Sequence, residues 1–195
     1  MRAFVAIELP SEIQDALTEV QTRIQARLRS RALGNAGFRW ALPQGIHLTL
    51  KFLGEISDVQ STHVVDCLSR LGSFERIRVE VKGYGFFPDR RRPQVLWAGL
   101  IAPPALAELA RRIEGALAAM GFPAENRKFA PHLTLARLKT PRRQPVLEAL
   151  LAELCDQPLG QFEVSEFFLF ESHLSFGSPA QYRKVARFPN PDPLA

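Results

Sequence analysis

Residues Gly45–Gly54 read GIHLTLKFLG, and residues Ala130–Lys139 read APHLTLARLK. The chain has four histidines, and two of them, His47 and His132, open the same tetrapeptide, His-Leu-Thr-Leu. In a β-strand alternate residues share a face. That spacing puts Ile46, Leu48, Leu50 and Phe52 toward a core in the first copy, with His47, Thr49 and Lys51 pointing the other way. In the second copy Leu133 and Leu135 turn inward, and His132 and Thr134 turn outward. Each copy is thus an apolar anchor that presents an imidazole beside a hydroxyl. A single strand of this kind is common, and a lone strand histidine usually serves packing or surface. Two copies at matching places call for a shared role.

The segments on either side of the tetrapeptides repeat as well. Ahead of the first copy, the strand FVAIEL leads through Pro10 into a helix opening at Ser11, where Ser11 and Gln14 have the spacing of a capping box. Ile13, Leu17, Val20, Ile24 and Leu28 follow at helical spacing. Ahead of the second copy, VLWAGLIAPP is again a strand ending in proline, followed by a helix with Leu106, Leu109, Ile113, Leu117 and Met120 on one stripe. A helix carrying Val64, Cys67, Leu68 and Leu71 comes after the first tetrapeptide, and one carrying Val146, Leu147, Leu150, Leu151 and Leu154 after the second. Strands close each half: RIRVEVKGYGFF with VLWAGL in the first, FEVSEFFLF with QYRKVARF in the second. This doubled order implies an internally duplicated, bilobal α+β fold, with two antiparallel sheets, helices on the outer faces and a central cleft. No linker divides the chain, so residues 1–195 are expected to form a single domain of two pseudo-symmetric lobes, roughly 1–92 and 93–195. The proline-rich tail FPNPDPLA is expected to be irregular.

Composition narrows the class. With 46% apolar and 23% charged residues, the chain reads as a soluble globular protein rather than a disordered one. No apolar run is long enough to span a bilayer. The opening MRAFVAIELP, interrupted by Glu8, reads as a first strand and not as a signal peptide. Cys67 and Cys155 are isolated cysteines in helical patterns, expected to be reduced and buried, which fits the cytoplasm. A formal net charge of +5, with arginine far outnumbering lysine, favours phosphate-bearing partners without establishing them. The densest basic cluster, DRRRP at Asp89–Pro93, falls at an expected turn, as a solvated hairpin tip or as a phosphate contact.

Two imidazoles and two threonine hydroxyls on a shared cleft suit a phosphodiester. One imidazole takes a proton from the attacking oxygen and the other gives one to the leaving oxygen. With an unperturbed pKa of roughly 6.5, imidazole does both near neutrality. The threonines can hold the non-bridging oxygens and fix phosphorus in line. Neither copy shows the additional carboxylates or histidines at tight spacing that a metal site normally adds, so no metal or cofactor is expected. His63, in a helical stretch, and His173, in the closing turn ESHLSFGSP, read as surface residues. Trp40, Phe4 and Tyr182 could each offer a face for stacking a base, although in a chain with 14 phenylalanines aromatic residues mostly build the core. Lys51, next along the polar face, could add charge near the phosphate.

The segments RAFVAIELP, IHLTLKFLGEI, GYGFFPDRRRPQVLWAGL, FAPHLTLARL and EFFLFESHLS with QYRKVARF together resemble the two-histidine (2H) phosphoesterases with their paired HxTx motifs. Within that group the chain looks most like the RNA 2',3'-cyclic phosphodiesterases, long called 2'-5' RNA ligases. The resemblance implies hydrolysis of a terminal 2',3'-cyclic phosphate to a 2'-phosphomonoester. It implies His47 as proton donor to the departing 3' oxygen and His132 as proton acceptor from water. Thr49, Thr134 and Arg137 carry over as phosphate ligands. Strict alternation sends Arg137, five positions after His132, to the core face, so it reaches the phosphate only where the strand bulges or ends near Ala136. The implied partners are RNA ends or nucleotides bearing a cyclic phosphate, with no membrane, and a monomer is expected. Two other functions fit less well. A weak, reversible 2'-5' joining of RNA halves would have to run as reverse transesterification, since no nucleotide-activating glycine-rich loop is present. A non-catalytic binder of phosphorylated RNA ends would gain more from arginine or lysine than from two histidines.

Overall fold

The structure is a computed structural model that describes residues 1–30, 37–173 and 180–189. In chain order the elements are β1 (Arg2–Glu8), α1 (Ser11–Ser30), β2 (Phe38–Trp40), a 3-10 turn (Pro43–Gly45), β3 (His47–Glu55), α2 (Asp58–Ser69), β4 (Ile77–Phe87) and β5 (Val95–Ile101). They continue with α3 (Pro104–Ala118), β6 (His132–Leu138), α4 (Pro145–Leu154), β7 (Gly160–Val164), β8 (Phe167–His173) and β9 (Gln181–Phe188). All strand pairings are antiparallel, in two sheets ordered β3-β1-β8-β9 and β2-β6-β5-β4-β7.

The sheets explain why the tetrapeptides occupy equivalent places. Each HLTL strand lies beside the strand that opens its half: β3 beside β1, and β6 beside β5. The next strand inward comes from elsewhere in the chain. β8, from the end of the sequence, pairs with β1, whereas β4, from before residue 92, pairs with β5. Both sheets therefore draw strands from each side of residue 92. The segment FEVSEFFLF is two strands rather than one. Its chain breaks at Ser165 and Glu166, leaving β7 at the edge of one sheet and β8 inside the other. The alternation of Phe162, Glu163, Val164 and Ser165 fails at Glu166, and the unbroken apolar run Phe167–Phe170 that follows is buried on both faces inside the second sheet.

Helices pack where their stripes require. Leu106, Leu109, Ile113 and Leu117 of α3 are all at most 2% exposed. Burying each such side chain contributes about 1.5–3 kcal/mol. Met120 lies beyond the end of α3 and is 36% exposed, because the helix stops at Ala118 before the stripe reaches it. The expected capping box at Ser11 is absent. The Pro10 carbonyl accepts the N–H groups of Ile13 and Gln14, and the Gln14 side chain donates to the Leu9 carbonyl instead. A capping box does open α2, where Ser57 Oγ accepts from Gln60 N–H and Gln60 Oε1 accepts from Ser57 N–H. Cys67 and Cys155 are free thiols that are half-buried rather than buried: Cys67 sits at the margin of the α2 stripe, and Cys155 lies just past the end of α4. Among the described residues, no helix is long and apolar enough to cross a membrane.

Candidate active site

The alternation of β3 and β6 fails at a matching point in both, just after the tetrapeptide's threonine, and β3 has a second irregularity at Leu53, between the partners of Ala3 and Phe4. In β3, Ala6 pairs with Thr49 and Val5 with Lys51, so Leu50 is an extra residue. In β6, Trp97 pairs with Thr134 and Leu96 with Ala136, so Leu135 is extra. A bulge of this kind inserts one residue and reverses the facing of everything after it. Leu48 and Leu50, like Leu133 and Leu135, stay buried as expected, and beyond the bulge the faces exchange.

That exchange decides three residues. Arg137, which strict alternation sends inward, is exposed, on the same face as the half-buried His132 and Thr134. Lys51, expected beside the phosphate, points into the interior and is 6% exposed. Its Nζ donates to Glu114 Oε1 at 2.7 Å and to the Pro123 carbonyl at 2.6 Å. The same Glu114 oxygen accepts the Glu125 N–H at 2.9 Å, so Lys51 ties β3 to the segment that runs into His132. Phe52 makes the opposite move: expected in the core, it is 66% exposed.

β3 and β6 approach each other across the cleft, and the charge of His132 acts on His47. Both rings are fixed in the same way. His47 Nδ1–H donates to the Gly45 carbonyl and His132 Nδ1–H to the Ala130 carbonyl, each at 2.8 Å. A carbonyl can only accept, so each bond assigns the proton to Nδ1 and leaves Nε2 for a substrate. Their surroundings differ. The His47 ring stacks on Phe4 at 4.6 Å and meets the edge of Tyr182 at 5.0 Å, with Phe170 behind at 6.2 Å. Burial among these rings pushes the His47 imidazole down to about 4, with the Gly45 hydrogen bond opposing and His132 adding a smaller push downward. The His132 ring is flanked by Phe87, edge-on at 4.8 Å.

Gly45 is fixed by this packing, since a Cβ there would stand 3.2 Å from the Tyr182 ring. Gly85 supports the other wall in the same way. A Cβ on it would fall 2.1 Å from the Trp97 ring, which lies opposite Thr134 in the ladder. Tyr182 is 38% exposed at the cleft, and burial raises its phenol pKa while Arg137 and Arg2 lie close enough to oppose the shift. Of the three aromatics expected as stacking faces, Phe4 is 3% exposed and covered by His47, so it supports the imidazole rather than a base. Trp40 is half-buried against Phe38. His63 lies exposed on α2, and His173 is the exposed last residue of β8, paired with Glu171, rather than part of a turn. Most of the closing segment after it, and of the proline-rich tail, falls outside the described residues.

One positioning residue escaped the sequence reading. Gln21, on the buried side of α1 and 4% exposed, donates through Nε2 to the carbonyls of Ala41 and Leu135, both at 3.0 Å. Leu135 is the bulge residue, and its carbonyl also accepts the Ala41 N–H at 2.9 Å. The bulge that aims Arg137 is thus pinned from behind by a helix. The only available signal was a glutamine beside Val20 and Ile24 on the helical stripe. Among the described residues, no three His, Cys, Asp or Glu side chains come together as metal ligands would. A hollow of about 390 Å³ between residues 7–10 and 161–168 is lined by no histidine.

Comparison with known proteins finds relatives along nearly the whole chain. The family model of the 2'-5' RNA ligase superfamily matches residues 9–175. A Methanothermobacter thermautotrophicus protein named RNA 2',3'-cyclic phosphodiesterase is 32% identical over 180 residues, covering 92% of this chain and 94% of its own. An Aeropyrum pernix protein of the same name is 38% identical over 137 residues, covering 70% and 77%. Among solved structures, TT0787 of Thermus thermophilus superposes with a TM-score of 0.74 at 29% identity, over 96% of this chain and 97% of that one. E. coli LigT complexed with 3'-AMP gives 0.72 at 26% identity, over 96% of each chain.

Proposed function

Since the chain belongs to the 2'-5' RNA ligase superfamily, we propose that it hydrolyses the terminal 2',3'-cyclic phosphate of RNA to a 2'-phosphomonoester. The observation that carries this reading is the pair of bulged HLTL strands, each turning a histidine and a threonine to one cleft with the histidine Nδ1 tied to the backbone.

In the reaction, His132 Nε2 accepts a proton from water as its oxygen attacks phosphorus. The bond from phosphorus to the 3' oxygen breaks, and that oxygen takes a proton from His47 Nε2. The water oxygen stays on phosphorus, and the 2' linkage is kept. Thr49 and Thr134 donate to the non-bridging oxygens, and the Arg137 guanidinium offers planar paired donors to the same group. The low pKa of His47 fits a donor that is loaded together with substrate. Without an anion, its apolar surroundings keep the imidazole neutral at pH 7. A bound phosphate supplies the counter-charge that favours imidazolium. Held among Phe4, Phe170 and Tyr182, that imidazolium releases its proton readily to the leaving oxygen.

The test is incubation with an oligonucleotide ending in a 2',3'-cyclic phosphate in the presence of EDTA. The expected result is conversion to the 2'-phosphate; strict dependence on an added divalent ion would overturn the mechanism.

A further inference from the structure

The bulge at Leu135 assembles one rung of the five-stranded sheet that the paired tetrapeptides do not explain. Arg39 of β2 pairs directly with Arg137 of β6, Arg137 pairs on its other side with Val95 of β5, and Val95 pairs with Phe87 of β4. Directly opposed residues of an antiparallel pair put their side chains on one face, with Cβ atoms about 5 Å apart. Arg39 therefore stands beside Arg137 on the cleft face, and both are exposed. The β4–β5 hairpin leaves the sheet from this same rung and carries exposed arginine at positions 90–92. The nearby carboxylate of Asp89 is engaged by the backbone N–H groups of Arg91 and Arg92.

Like charges facing each other across a ladder destabilise the pair unless something neutralises them. Among the described residues, no carboxylate lies within ion-pair distance of Arg39, Arg137 or positions 90–92. The cations of β9 behave differently: Arg183 pairs with Glu171, Lys184 with Glu8 and Arg187 with Glu166. The uncompensated charge also breaks the symmetry of the site. The counterpart of Arg137 on β3, two positions after its own bulge, is Phe52, and its ladder partner is Phe4. Beyond matched histidines and threonines, one end of the cleft is basic and the other aromatic.

We infer that Arg39 and Arg137 together form a subsite for a second phosphate, the internucleotide phosphodiester on the 5' side of the terminal cyclic phosphate. The inference rests on the phosphodiesterase reading above. Arg137 carries five N–H donors and can span the terminal and the second phosphate, while Arg39, one strand farther out, meets the second. The RNA chain then leaves the cleft past the arginine rung, toward the hairpin tip, and not past Phe52. An oligonucleotide possesses the phosphate this subsite recognises, and a cyclic mononucleotide lacks it.

The experiment compares a 2',3'-cyclic mononucleotide with a dinucleotide ending in the same cyclic phosphate. It measures kcat/KM across a salt series for the wild type, Arg39→Gln and Arg39→Lys. The wild type is expected to prefer the dinucleotide. Arg39→Gln cuts that preference about tenfold, chiefly through KM, as loss of one charge-assisted contact does. It also flattens the plot of log kcat/KM against log salt by about 0.7, the single-strand value per phosphate contact. Arg39→Lys keeps the salt slope and restores part of the preference. The melting temperature of Arg39→Gln does not fall, because a repulsion has been removed. An unchanged length preference and salt slope, or an equal loss on both substrates, would overturn the subsite. Should the wild type turn over neither substrate, the phosphodiesterase reading fails. Fluorescence anisotropy of a labelled dinucleotide ending in a 2'-phosphate then judges the subsite alone. Weaker binding by Arg39→Gln supports it, and equal binding overturns it.

Discussion

Replacing Gln21 by methionine keeps the volume of the side chain and removes its two hydrogen bonds. Leu135 O retains the Ala41 N–H, but Ala41 O loses the Gln21 donor. Leaving this half-buried carbonyl without its donor costs about 1–3 kcal/mol. Taking the middle of that range, and about 2–4 °C per kcal/mol for a domain of this size, the melting temperature falls by about 4–8 °C. The bulge at Leu135 also loses its clamp to α1, and Arg137 with it loses a fixed direction. On that account kcat/KM for a cyclic-phosphate oligonucleotide falls about tenfold, the equivalent of one weakened charge-assisted contact. The decisive assay is a double-mutant cycle with Arg137→Ala, read by kcat/KM at a temperature where all four proteins are folded. Because Gln21 acts through Arg137, Gln21→Met has little further effect on activity in the Arg137→Ala background. Fully additive losses, or a Gln21→Met protein that is less stable and equally active, would refute the link between the helix and the arginine.

His47→Ala and His132→Ala are each expected to lower turnover by about 10²–10⁴-fold, the usual worth of a positioned acid or base. Their stabilities should differ: His132→Ala melts near the wild type, whereas His47→Ala uncovers the Phe4 ring and melts measurably lower. With His47 held at about 4 in the free protein, the acidic limb of kcat/KM lies near that value whichever way the protons run, since kcat/KM reports the free enzyme. Below that pH the imidazole is protonated, and one protonated and one neutral histidine are needed. The matching limb of kcat lies at higher pH, because bound phosphate favours the imidazolium; coincident limbs would argue against loading of the proton with substrate. Lys51→Met should lower stability by about 2 kcal/mol by unpairing the Pro123 carbonyl and leaving the Glu114 carboxylate without its cation, and change the salt dependence of kcat/KM little. Loss of activity at unchanged melting temperature would return Lys51 to the phosphate.

The parts of this fold legible in the sequence are those written in local periodicity. The stripes of α1 and α3, and the outward pairing of histidine with threonine in each tetrapeptide, follow from spacing alone. What spacing could not carry was a single extra residue. With Leu50 and Leu135 unrecognised as bulge positions, alternation sent Lys51 toward the cleft and Phe52 inward, and left Arg137 on the wrong face unless a bulge intervened. The apolar patterns of the flanking residues fit either register, so the choice is made by neighbouring strands and by Gln21, which lies more than a hundred positions from Leu135 in the chain. The exchange of β4 and β8 between sheets was hidden for a related reason: each pairs with a strand its own pattern does not name. Gln21 looked like any polar helical residue until the two carbonyls it serves were in view.

The central claim is that two imidazoles, one from each bulged strand, flank a single phosphorus atom. A crystal structure with a 2'-phosphorylated nucleotide tests it most directly. The account predicts the phosphate between the strands, with Nε2 of His47 and Nε2 of His132 each within about 2.6–3.2 Å of a phosphate oxygen on opposite sides, and Thr49 and Thr134 on the remaining oxygens. A phosphate held by one histidine alone, or bound outside the cleft between β3 and β6, would contradict it.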